Sequence, residues 1–177
     1  DARAMLLFML YKLVANGEFV SEFSSEKICY FLQRFGAKEH FKLDYKPNFY
    51  GPYSGKVKYV INYLNGSYIM GYSSMDKKPF ETLDLVSDGF EKVESYILSK
   101  PELVQIVNRT ELFLDGFYSE FALELLSTVD YIRLNKETFD LEIIKSELES
   151  WSERKRTLFS NDRFLNISIN HLRKHFG

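Results

Sequence analysis

The sequence predicts a mainly α-helical fold with a small β-hairpin or short sheet: a winged-helix-like half over residues 1–86 and a helical bundle over residues 87–177, together one domain. Three observations carry this expectation. Apolar residues recur at helical spacing in eight segments. Stretches that alternate apolar and polar side chains are short and all lie before residue 87. The chain has 177 residues, 45% hydrophobic and 27% charged, which suits one globular domain and excludes disordered or collagen-like architectures.

Residues 4–15 form the first expected helix. It is apolar nearly all round (Met5, Leu6, Leu7, Phe8, Met9, Leu10, Leu13, Val14), so it belongs inside, and Gly17 ends it. Ser24 or Ser25 offers an N-cap for a second helix with Ile28, Phe31, Leu32 and Phe35 on one face and Gly36 at its end. Residues 41–46 alternate and predict a strand. The two prolines and two glycines of residues 47–55 predict a turn-rich loop. A third helix follows, with Val57, Val60, Ile61 and Leu64 inward; residues 68–72 and 80–86 then predict two strands joined through 73–79. Beyond them, Phe90, Val93 and Ile97 mark a fourth helix and Pro101 starts a fifth. Gly116 breaks the chain before Ser119 caps a sixth. Leu141, Ile144, Leu148 and Trp151 share a face of a seventh, and Asn161 or Asp162 opens an eighth that reaches the C-terminus.

The single cysteine, Cys29, excludes an internal disulfide or a cysteine-built zinc site and fits a reducing, cytoplasmic setting. The apolar run of residues 5–10 is too short for a membrane span, so no membrane partner is expected. A start at Asp1 rather than Met suggests a piece of a longer protein. The near-neutral total charge conceals a gradient. Residues 1–80 carry 11 basic and 7 acidic side chains, residues 81–150 carry 6 and 16, and residues 151–177 carry 6 and 2, or +4, −10 and +4. The acidic block either solvates helix faces or faces a basic partner. Glu111, Asp115, Glu120, Glu124, Glu142, Glu147 and Glu149 are its expected exposed members.

No catalytic constellation stands out, and neither a metal nor a cofactor is expected. His171 and His175 share a helical face, but no third ligand is evident. Cys29, between Ile28 and Tyr30, reads as a buried, inert thiol. The Gly51-Pro52-Tyr53-Ser54-Gly55-Lys56-Val57 stretch lacks the spacing and the hydroxyl of a phosphate-binding loop. Two binding constellations remain. One is the aromatic loop, with Lys46 and Asn48 among Tyr45, Phe49, Tyr50 and Tyr53; it reads either as a partner surface or as a structural corner. The other is the basic set Lys56, Lys58, Lys77 and Lys78 on the third helix and hairpin tip, placed where a winged helix contacts DNA. Four lysines beside an acidic remainder argue against direct nucleic-acid binding.

Several stretches in order resemble the C-terminal domain of DarG, the antitoxin of DarTG toxin–antitoxin systems. They are Tyr30-Phe31-Leu32-Gln33, Tyr50-Gly51-Pro52-Tyr53, Leu64-Asn65-Gly66-Ser67-Tyr68-Ile69-Met70-Gly71-Tyr72, Glu124-Leu125-Leu126-Ser127-Thr128-Val129, and Trp151-Ser152-Glu153-Arg154-Lys155 with Phe159. The resemblance implies a non-enzymatic domain, separate from an N-terminal macrodomain, that inhibits a DarT-type DNA ADP-ribosyltransferase by occupying its DNA-binding surface. On that basis Tyr45, Lys46, Asn48, Tyr50, Tyr53 and Tyr72, with Glu111, Asp115, Glu120 and Glu124, are expected to face the toxin as a mimic of single-stranded DNA. A winged-helix DNA-binding or autoregulatory domain is the alternative.

Overall fold

The structure is a computed structural model that describes residues 1–72 and 78–177. It is mainly helical, with two small two-stranded antiparallel sheets. Helix α1 (Ala2–Ala15) is the centre of the core: Met5, Leu6, Met9, Leu10 and Leu13 are wholly buried. It packs on α2 (Glu22–Leu32), α5 (Phe90–Leu98) and α6 (Pro101–Leu114). Helix α2 is buried along its whole length and lies against α7 (Glu120–Lys136). No helix among the described residues is long and apolar enough to cross a membrane.

The start of α2 departs from expectation. Its N-cap is Ser21, whose Oγ accepts from the Ser24 amide at 3.1 Å while Ser24 Oγ accepts from the Ser21 amide at 2.9 Å. This reciprocal box satisfies two amide donors that would otherwise be buried without partners. Gly36, at φ +117°, kinks the chain within a π-turn (Gln33–Ala37), and helix resumes as α3 (Lys38–Phe41).

The strand expected over 41–46 is absent because the Gln33 side chain takes both backbone groups of Leu43. Nε2 donates to the Leu43 carbonyl at 3.0 Å and Oε1 accepts from the Leu43 amide at 2.8 Å. Pairing begins instead at the last residue of that stretch and runs into the expected loop, where β1 (Lys46–Asn48) meets β2 (Gly51–Tyr53) in the register Lys46↔Tyr53 and Asn48↔Gly51. Helix α4 (Val57–Leu64) buries Val57, Ile61 and Leu64.

The second hairpin is shorter than its sequence pattern. Strand β3 (Ile69–Met70) pairs with β4 (Asp84–Leu85), the Val86 amide adds a bond to the Tyr68 carbonyl at 2.9 Å, and the Leu83 amide turns instead to the Val20 carbonyl at 2.8 Å. Most of the expected connection, Lys77 included, lies outside the described residues.

The C-terminal half adds α8 (Leu141–Trp151), α9 (Glu153–Phe159) and α10 (Asp162–Phe176). Helix α9 was not expected; Ser152 caps it, accepting from the Lys155 amide at 3.0 Å. His171 and His175 are half-buried ring partners: His171 stacks on Phe113 and Phe117, and its Nε2 lies 2.7 Å from the Phe113 carbonyl. Cys29 is fully buried, and burial pushes its thiol pKa well up.

Candidate functional site

The β1–β2 hairpin is held by side chains from three helices. From α2, Lys27 Nζ donates to the Pro52 carbonyl at 2.7 Å, and Glu26 accepts from the amides of Ser54 and Gly55, each at 3.2 Å. Tyr45 OH donates to the Glu26 carbonyl at 3.2 Å. From α8, Trp151 Nε1 donates to the Asn48 carbonyl at 2.8 Å. From α7, Thr128 meets the hairpin at Gly51, whose positive φ and missing side chain permit the approach.

Beneath the hairpin lies a buried ion cluster. Glu124, 2% exposed, accepts from both terminal guanidinium nitrogens of Arg154, and Lys155 Nζ donates to it at 2.7 Å. Arg154 in turn lies over the rings of Tyr50, at 4.8 Å, and Phe49, at 5.4 Å.

Between α2 and the hairpin is a cavity of about 230 Å³, lined by Glu22, Phe23, Glu26, Lys27, Asn48, Phe49, Tyr50, Tyr53 and Pro79. Its rings stand nearly perpendicular to one another: Phe49 and Tyr50 at 88°, Phe23 and Tyr50 at 89°. Glu22 and Glu26, one helical turn apart, contribute its carboxylates. Glu22 accepts from Tyr72 OH at 3.1 Å and also bonds Tyr53.

Burial pushes the Lys27 ammonium down to about 7, against the pull of Glu26 and Glu124, and raises the Glu26 carboxyl, which the Ser54 and Gly55 bonds partly offset. The unfolded chain therefore binds more protons at Lys27 between about pH 7 and its ordinary value of 10.5, so stability rises with pH in that window. From pH 7 to 9 the native protein should gain roughly 2 kcal/mol in urea unfolding through this group. A Lys27→Met variant should lack that gain; the same pH dependence in both proteins would sink the assignment.

The placement of the predicted residues is mixed. Tyr50, Tyr53 and Asn48 line the cavity, and Lys46 is exposed on β1. Tyr45 turns inward and meets Tyr30 edge-on at 5.1 Å. Tyr72 is buried against Glu22 rather than displayed. Glu120 and Asp115 are exposed and Glu111 is half-buried, 3.8 Å from Lys12.

Glu124, expected on the exposed acidic face, is internal because Arg154 and Lys155 neutralise it. Asp130 of the same block is also internal, bonded to Tyr30 OH at 2.8 Å and Arg34 Nε at 2.6 Å. Sequence reasoning missed Glu22, Phe23, Glu26 and Lys27. The signal was there: three charges within an otherwise core-forming helix, too many for a buried face unless they meet partners.

A second surface has the opposite character. Helix α4 exposes Tyr59, Asn62 and Tyr63 with Lys56 before its first turn, and it contains no acid. Lys58 lies over the Tyr59 ring, and the Arg3 guanidinium, from α1, lies 3.8 Å from the centre of Tyr63.

No protein-family model matches the chain. It is similar to curated proteins named DNA ADP-ribosyl glycohydrolase. The one from Thermus aquaticus is 28% identical over 156 residues, 88% of this chain and 42% of that protein. Those from Mycobacterium tuberculosis and Mycobacterium bovis are each 21% identical over 149 residues, 81% of this chain and 42% of theirs. The chain thus spans about two-fifths of the length of the curated relatives it matches. Their shared name corrects the expectation of a non-enzymatic, toxin-neutralising domain that inhibits by DNA mimicry, because it is the name of an enzyme acting on ADP-ribosylated DNA. The internal positions of Glu124 and Asp130 remove part of the charge on which mimicry depended.

Proposed function

We propose that the chain is one part of a DNA ADP-ribosyl glycohydrolase, a hydrolase that removes ADP-ribose from DNA, and that it contributes to holding the modified strand. The observation that carries this reading is its similarity, over 81–88% of its length, to three proteins of that name. Hydrolysis of a glycosidic bond adds water at the anomeric carbon, and the DNA atom leaves with a proton. Both the strand and the ADP-ribose carry phosphates, so the surfaces that hold them need positive charge and planar platforms.

The α4 face supports that role: Lys56, Lys58 and Arg3 supply charge, and Tyr59 and Tyr63 supply rings. The cavity beside α2, with two carboxylates, is unsuited to phosphates.

The full-length protein should release ADP-ribose from an ADP-ribosylated single-stranded oligonucleotide; no release overturns the reading. Each of Tyr59→Ala and Tyr63→Ala should weaken strand binding by about 1–3 kcal/mol, or roughly 5- to 150-fold, in fluorescence anisotropy at near-physiological salt. Unchanged affinity in both variants would remove α4 from the contact.

A further inference from the structure

We propose that the cavity between α2 and the β1–β2 hairpin is a receptor for the guanidinium head of an arginine side chain presented by a partner protein. The cavity, at about 230 Å³, is smaller than a drug-sized pocket of roughly 300–1,000 Å³, so it suits a single side chain. Its walls are Phe23, Phe49, Tyr50 and Tyr53, and aromatic faces attract cations through the ring quadrupole.

The perpendicular packing of Phe49 on Tyr50, and of Phe23 on Tyr50, offers a flat cation faces and edges in more than one direction. The same two rings of the hairpin, Phe49 and Tyr50, already carry the guanidinium of Arg154, which does not line the cavity. Their affinity for this chemical group is therefore displayed within the fold.

Charge points the same way. Glu22 and Glu26 line the cavity, and among the described residues neither has a basic group within ion-pair distance. Glu26 is committed to Ser54 and Gly55, whereas among the described residues Glu22 accepts from neutral tyrosine hydroxyls, those of Tyr72 and Tyr53. Glu22 is thus the carboxylate that an entering guanidinium would meet. Lys27, the one basic residue among the described residues of the lining, has its Nζ turned to the Pro52 carbonyl. A buried carboxylate facing apolar rings gains most from a weakly hydrated, planar cation, which arginine supplies and an ammonium does not.

The proposal does not depend on the hydrolase reading. The probe is N-acetyl-arginine methylamide, titrated to 20 mM (about that order, for a single side chain) and followed by NMR shifts of Phe49, Tyr50 and Tyr53. The isosteric, uncharged citrulline counterpart is the control. Saturable shifts with arginine, and at least about fivefold weaker binding of citrulline, are expected. Glu22→Gln, which preserves shape and keeps an acceptor oxygen, should weaken arginine binding at least about fivefold, and Phe49→Leu, at a half-exposed ring, should do the same. Equal binding of citrulline, no saturable shift with arginine, or unchanged affinity in both variants would each overturn it.

Discussion

Replacing Glu124 by alanine should lower the unfolding free energy by about 3–5 kcal/mol, because it leaves a buried charge without its partner. Lys155 is wholly buried and its Nζ donates to Glu124; Arg154 meets both carboxylate oxygens. Burial already depresses the Lys155 ammonium, and the Glu124 carboxylate is what opposes that shift. Without it, Lys155 must shed its proton or draw in water. The loss should extend to the hairpin, since Arg154 also covers Phe49 and Tyr50. Urea denaturation measures the cost. A Glu124→Met, Lys155→Met double variant should recover much of it, because replacing both members of a buried pair by apolar side chains is far less damaging than removing one. A single-variant loss below about 1 kcal/mol would mean that the cluster is solvated and does not hold the hairpin.

Gly51→Ala should cost about 3 kcal/mol, the sum of two effects. The backbone there has φ +100°, where side-chain-bearing residues are strained, and an added Cβ would stand 2.7 Å from Thr128 Oγ1 and 3.2 Å from Lys27 Nζ. Either the hairpin lifts from α7 or Thr128 and Lys27 move, and Lys27 is tied to the next carbonyl in the hairpin, that of Pro52. Introducing Thr128→Ala into the Gly51→Ala protein should relieve the steric part while leaving the backbone strain, with a coupling of at least about 1 kcal/mol. Additive costs would show that the two residues do not meet. Because Phe49, Tyr50 and Tyr53 share this hairpin, Gly51→Ala should also distort the cavity beside α2.

Local pattern and tertiary context divide the fold between them at identifiable residues. The apolar run that opens the chain announced a buried helix, and α1 is one. Ser119 and Asn161 announced caps, and their side chains accept from Ala122 and from Arg163 and Phe164. These features depend on neighbours within a turn or two of helix, so spacing suffices to read them. The strand expected over 41–46 failed for a reason that spacing cannot carry: its pattern was right, but the Gln33 amide, ten residues away, supplies partners that a neighbouring strand would have supplied. The hairpin at 46–53 appeared in a stretch rich in turn residues because helices α2, α7 and α8 hold it from outside.

Read alone, the sequence determined the helical class, most helix boundaries, the burial of α1 and the uneven distribution of charge, since each follows from residue type and short-range periodicity. Only the tertiary structure decided which charges are surface and which are interior. Glu124 was expected on an exposed acidic face, and Asp130 belongs to the same acidic block, yet each is buried against a cation, 30 and 96 residues away, Arg154 and Arg34. Glu22 and Glu26, which residue spacing did not single out, are the carboxylates of the cavity. An isolated charge is costly to bury and a paired one is tolerated, and pairing across such distances is settled by how the helices pack.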